Sequence, residues 1–428
     1  MLTYKMPKGL ELTIPDGDVD ILRGLAERIA AIAALPEQAE RKELWRRVNG
    51  LEKPRPAVLI RMDEVPWHEV DGGGAPAVKT TNGFAQAHER EFRRILYQWE
   101  HMACDMVVEP VVYSLMALTD TGCGIQAEED LLPQSGKGSV FSHRYKPQIR
   151  DEKDLDKIQA PRLSHREDIT EGVCELRREI FGDILEVRKR GINQGFFFPW
   201  DELVTWWGPE QALLDLIEKP ALVREAMERL TRAYLSRIDQ WEELSLFTLE
   251  EGNFSTGSGG LAYTDALPGP DADLGHLTAR NLWGYSTAQI FTGVSPRMHE
   301  EFSLRYERRL LERFGLNYYG CCEALHHKVD LLRSIPNLRK ISMSPWADIE
   351  KGVESVGNDY VLSIKPSPAV FARAWSRERV RQELEQIVAK TRGCSVEIVM
   401  KDITTVNHHP ERLREWAEIA MSVVTGDG

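Results

Sequence analysis

Cysteine is scarce in this chain. Six residues among 428 cannot build the disulfide framework of a small secreted domain, and in a reducing compartment an adjacent pair serves as ligand or nucleophile instead. Also missing is any run of roughly 18 apolar residues, so nothing here reads as a membrane-spanning helix. The opening MLTYKMPKGLELTIPDGD has no apolar signal core, and the expected location is the cytoplasm. Basic charge is in deficit: 54 Lys and Arg stand against 67 Asp and Glu, a net charge of −13. That balance disfavours a nucleic-acid or anionic-membrane surface. No internal repeat and no low-complexity tract interrupts the sequence. The glycine-rich STGSGG at 255–260 lacks the lysine of a phosphate-binding loop and the strand–helix setting of a dinucleotide loop, and it reads as a lid over a site.

What is present is ordinary globular composition, 42% hydrophobic and 28% charged, enough for a full core. Short apolar runs alternate with amphipathic helical stretches: PAVLIRMDE, DMVVEPVVY, GFFFPWD, LFTLEEGN, STAQIFT, NYYGCCE, KISMSPW, YVLSIKP and VEIVMKD. Roughly eight to ten such runs suit an α/β protein built as a closed (β/α)8 TIM barrel, with the site at the C-terminal ends of its strands. Those ends are polar one after another: Asp63, Glu109, Asp201, Glu250 with Glu251, Cys321 to Glu323, Ser344, Lys365 and Asp402. Residues 1–50 read as a helical extension packed on a barrel of residues 51–428. The stretches 68–78 and 120–157 read as loops, the second long enough for a lid or insertion at the mouth.

The densest chemistry lies at 317–327, where NYYGCCE runs into ALHH. It reads as a strand ending in two thiols and a carboxylate, followed by a helix that opens on His326 and His327. Helical spacing would pair Cys322 with His326 and Glu323 with His327. Thiolate, imidazole and carboxylate are the ligand types of zinc, so Cys321, Cys322, Glu323, His327 and Asp402 form the candidate metal set. A packed cysteine beside a solvated histidine pair is the competing reading. Glu109, Asp201, Glu250 and Glu251 are candidate general acids on the rim. Lys365 is a candidate amine, with its ammonium expected to reach solvent.

The stretch GFFFPWDELVTWWGPEQALLDLIEKPALVREAMERL resembles the middle of the uroporphyrinogen decarboxylase superfamily. VSPRMHEEFSLRYERRLLERFGL and the closing HHPERLREWAEIA extend the likeness over about 196–420. The resemblance implies a uroporphyrinogen decarboxylase-like barrel with an N-terminal helical extension and long mouth loops. It also implies one of that superfamily's chemistries, and often a homodimer. The porphyrin decarboxylases' W-x-M-R-Q-A-G-R segment has no counterpart in PAVLIRMDEVPWHEV, so porphyrin decarboxylation itself is not expected. The zinc methyltransferases carry His-x-Cys at this strand, where the His position falls on Tyr319 or Gly320 here, and a late Cys whose position falls near Asp402. The leading expectation is a metal-assisted methyltransferase that moves a methyl group from a small methylated compound to a thiol or to a corrinoid on a separate partner protein. A metal-free lyase, decarboxylase or glycoside-type hydrolase using the rim carboxylates is the second. A non-catalytic barrel that binds a small molecule is the third.

Overall fold

The computed structural model describes residues 2–5, 11–70, 77–132 and 142–426. Residues 71–76 of the expected 68–78 loop and 133–141 of the expected mouth insertion lie outside the described residues. So do residues 1 and 6–10 of the N-terminal extension, and the last two residues of the chain.

The strands that position the site are, in chain order, β1 (Ala57–Ile60), β2 (Val111–Leu115), β3 (Glu186–Arg190), β4 (Gln194–Phe197) and β5 (Trp283–Ser286). They continue as β6 (Leu316–Tyr319), β7 (Leu338–Met343), β8 (Val361–Ile364) and β9 (Ser395–Met400). Seven of them form one parallel sheet in the order β4-β5-β6-β7-β8-β9-β1, which puts the first strand beside the last. β2 and β3 pair separately, also in parallel. β1, β5, β6, β8 and β9 are buried at every position, as expected of a parallel sheet covered on both faces. Among the described residues no ladder joins the edge strands β1 and β4, so the hydrogen-bonded ring read from the sequence is not closed there. The expected strand within 246–253 is reduced to one bridge, between Ile192 and Phe247.

The sheet is strongly curled. Side chains from strands that are not neighbours meet on its concave side: Lys340 of β7 reaches Glu397 of β9 at 2.8 Å, and the Tyr318 hydroxyl of β6 donates to Ser363 of β8 at 3.2 Å. Glu397 also bonds Ser363 and accepts from the Gly260 N–H at 2.9 Å. Lys340 and Glu397 have no exposed surface, so the pair persists because each charge is neutralised and hydrogen-bonded by the other.

Residues 255–260, expected as a lid, instead pack inside this hollow. Thr256 and Ser258 are buried, and a Cβ at Gly257 would stand 2.8 Å from the rings of Tyr285 and Tyr318. A Cβ on Gly260 would strike the Trp45 ring at 2.4 Å. The glycines allow close approach of backbone to ring, not flexibility. Trp45 belongs to the helix Glu37–Asn49, whose last side chain donates to the carbonyls of Leu261 and Tyr263 at 3.0 and 2.7 Å. Arg339, in β7, donates to the Asn49 carbonyl. The helix and the glycine loop together stopper the N-terminal end of the sheet.

Candidate functional site

The opposite end of the sheet carries the thiols. After Tyr319 the chain leaves β6 through Gly320, at a φ of +95°, where a Cβ would lie 2.3 Å from Leu325. Only glycine suits that turn, and it sets Cys321 at the rim. A register shift between Asn317 and Tyr318 in the β6–β7 pairing adds local twist just before it.

Residues 320–328 are bends, turns and irregular backbone, and helix begins only at Val329–Leu332. The helical spacing expected for Cys322/His326 and Glu323/His327 therefore does not arise. The cause is Glu323. Its buried carboxylate accepts from the Thr287 hydroxyl at 2.8 Å, from the Ala288 N–H at 3.2 Å and from the Cys321 N–H at 2.8 Å. These bonds draw the segment inward and hold the thiol turn against the loop after β5. His326 accepts from the Asp348 N–H at 3.3 Å, and His327 is exposed.

Cys321 Sγ lies 3.6 Å from Cys322 Sγ and 3.8 Å from Lys401 Nζ, at the end of β9. Cys322 Sγ stands 3.9 Å from the Asp402 carboxylate, which Lys401 binds at 2.5 Å. Asp402 sits at a φ of +56°, and its N–H donates to Glu64 at 2.7 Å. A non-glycine residue held in that region is fixed by its surroundings, here by Glu64 and Lys401.

The electrostatics single out one sulfur. The hydrogen bond from Cys322 pulls the Cys321 thiol down to about 6, against the opposing effect of burial, with Lys401 and the Tyr285 hydroxyl helping. Cys322 moves the other way, raised by its bond to Cys321 and by burial, and keeps its proton. One thiolate, one thiol and one ammonium result, the setting in which a cysteine becomes a nucleophile at neutral pH. Burial takes Lys365 down to about 7; it is buried, bonded to the Tyr318 hydroxyl at 2.6 Å, and does not reach solvent as expected.

Of the four expected acids, Asp201 belongs to this end. It lies in the first turn of the helix Pro199–Trp207, accepts from Gln289 at 2.7 Å, and is pushed up by burial to about 6. The other three do not end strands. Glu250 is held by Arg190 and by Asn193 at 2.9 Å, and these residues precede β4. Glu251 pairs with Lys42 at 2.7 Å. Glu109 accepts from the Tyr263 hydroxyl at 2.6 Å and pairs with Lys42 at 3.1 Å. All three sit toward the stoppered end, committed to ion pairs.

The donor set does not suit zinc. Tetrahedral zinc needs three or four convergent side-chain donors at close to 2 Å, and among the described residues no three His, Cys, Asp or Glu side chains gather in that way. Glu323 spends its oxygens on neighbouring donors, His326 is taken by the Asp348 N–H, and the Lys401 ammonium binds the same Asp402 carboxylate that a metal would need. Lys401 and Tyr285 went unnoticed in the sequence. A Lys-Asp pair ending a strand looks like a surface ion pair, and a tyrosine among eleven carries no mark.

A cavity of about 500 Å³ opens beside this centre, in the gap between β1 and β4. Arg61 and Asp63 line it near the thiol end, and Glu109 and Arg190 near the stoppered end. Phe196 lines it too, and its ring packs edge-on against Tyr285 with centroids 5.9 Å apart.

No protein-family model matches the chain, and no curated protein matches it in sequence. Among solved structures it is similar to a methyltransferase from Methanosarcina mazei, at 13% identity over 90% of this chain and 98% of that one, with a TM-score of 0.48.

Proposed function

We propose that the chain is a methyltransferase whose reacting group is the Cys321 thiolate. The observation that carries the reading is the set of three donors around one sulfur: the Cys322 thiol, the Lys401 ammonium and the Tyr285 hydroxyl. The superfamily resemblance of residues 196–420 supports methyl transfer among the reactions a thiolate performs. In the step proposed, Cys321 sulfur attacks the methyl carbon of a small methylated compound, and an S–CH3 bond forms. The carbon–leaving-group bond breaks, its electron pair departs with the leaving group, and Asp201 supplies the proton where that group needs one. The onward acceptor is a thiol or a separate corrinoid protein, as the resemblance implies.

For the fold we adopt the (β/α)8 reading, with β2 and β3 bridging the gap. Two facts support it: the Asp105 N–H donates to the Val58 carbonyl at 2.9 Å, and β3 runs into β4 after three residues, 191–193.

The test is peptide mass spectrometry after incubation with methylated amines, thioethers and aryl methyl ethers. Methylation is expected on the peptide bearing Cys321 and is lost in Cys321→Ser. Turnover that survives Cys321→Ser, or methylation elsewhere, overturns the proposal.

A further inference from the structure

Methyl transfer as proposed uses one sulfur of the adjacent pair and asks of the other only a hydrogen bond, which a serine hydroxyl would supply as well. The placement of Cys322 goes further. Its Sγ faces Cys321 Sγ at 3.6 Å. Both residues are partly open to solvent at the rim, whereas Cys104, Cys123, Cys174 and Cys394 are buried. Lys401 Nζ lies 3.8 Å from the first sulfur, and the Asp402 carboxylate lies 3.9 Å from the second. An ammonium beside one sulfur favours its thiolate, and a carboxylate beside the other favours its thiol.

A thiolate touching a thiol is the arrangement that reduces a hydroperoxide in two steps. The Cys321 thiolate attacks one peroxide oxygen: an S–O bond forms, the O–O bond breaks, and the other oxygen leaves with the electron pair and takes a proton from water. Cys321 is then a sulfenic acid. The Cys322 sulfur next attacks the Cys321 sulfur: an S–S bond forms, the S–O bond breaks, and the departing hydroxide leaves as water with the Cys322 proton. The two thiols have together lost two electrons, which the hydroperoxide has gained. The new bond joins adjacent residues, whose Cα atoms lie about 3.8 Å apart across a trans peptide, closer than the roughly 4.4 Å lower end of ordinary disulfides. A bond so constrained is readily reopened by a dithiol. The turn that must adjust to it, residues 321–323, lies outside helix and strand.

We infer that Cys321 and Cys322 are a redox modification site, oxidised by hydroperoxides to a reversible disulfide between adjacent residues. The closed bond occupies the Cys321 sulfur, so the oxidised chain has no nucleophile for a methyl group, and methyl transfer stops until a dithiol reopens it. That last consequence rests on the methyl-transfer reading; the disulfide does not.

The test uses the full chain, reduced and freed of reductant, with hydrogen peroxide as the oxidant. Expected is the loss of two thiols, and of two hydrogens in intact mass, both restored by dithiothreitol, with peptide mapping placing the bond between Cys321 and Cys322. Cys322→Ser should stop at the sulfenic acid, which dimedone labels on Cys321 there and not in the unaltered chain. Cys321→Ser, its fold checked by circular dichroism, should keep its thiols over the same time, and Lys401→Met should oxidise several-fold more slowly. Sulfinic acid in place of a disulfide, a bond to any other cysteine, or undiminished thiol loss in Cys321→Ser overturns the inference. A disulfide that forms while Cys321 of the reduced chain never becomes methylated, or while methyl transfer continues in the oxidised chain, overturns the methyl-transfer reading and leaves the inference standing. Methylation of Cys321 in a chain that forms no disulfide does the reverse.

Discussion

Lys401 Nζ stands 3.8 Å from Cys321 Sγ, although 80 positions separate the two residues in the chain. An ammonium at that distance stabilises the thiolate over the thiol. Iodoacetamide is therefore expected to label Cys321 ahead of the buried Cys104, Cys123, Cys174 and Cys394. Lys401→Met should slow that labelling several-fold at neutral pH, while Cys321→Ser abolishes the fast phase. Labelling rate against pH, followed by peptide mapping, checks both.

In the proposed step, with a methyl donor whose leaving group takes up a proton, Cys321 reacts deprotonated and Asp201 protonated, and both groups are held at about 6. Activity should therefore rise with pH as the thiol ionises and fall as Asp201 loses its proton, giving a narrow bell centred near that value. Asp201→Asn should flatten the alkaline limb. Lys401→Met should shift the acid limb upward. A profile of kcat/KM against pH distinguishes the two effects.

Glu307 is fully buried, accepts from the Tyr319 hydroxyl at 2.7 Å, and is raised by burial from 4.5 to about 7. Its folded pKa exceeds the unfolded one, so its contribution is fully present below about 4.5 and is lost as pH rises through about 7. By linkage that loss is on the order of 3 kcal/mol. Glu307→Gln should shrink the difference in melting temperature between acid and alkaline buffer.

Lys340 and Glu397 are both without exposed surface and meet at 2.8 Å. Lys340→Met leaves a buried carboxylate uncompensated and should cost about 3–5 kcal/mol in denaturant unfolding. Replacing both by apolar residues of similar size should cost much less.

Glu323 is a brace for the thiol turn in this structure. Dialysis against a chelator should leave Cys321 labelling unchanged, whereas Glu323→Gln should slow it by loosening the turn. Labelling rates before and after dialysis check the first, and labelling of the variant checks the second.

The parallel sheet was legible because its strands are nearly continuous apolar runs, such as KISM and VEIVM, set between helical stretches. The rim was legible only where a run truly ends a sheet strand, as at Cys321 and Asp402. Glu109 and Glu250 misled because each lies beside an apolar run that the sheet does not use in the expected way: Glu109 precedes β2, and Glu250 follows a single bridge. The His-His pair looked helical because local spacing says nothing of Glu323, whose three bonds reach residues 287 and 288 as well as Cys321. Residues 255–260 looked loose because glycine serves both slack and tight contact, and only the facing rings decide which.

Trp45 and the glycines at 257, 259 and 260 close the hollow of the sheet from beneath. A small molecule therefore cannot meet the sulfur from that end, and donor and acceptor come by way of the rim or of the gap between β1 and β4. Kinetics in which the first product leaves before the second reactant binds are the natural outcome when both must use the same sulfur.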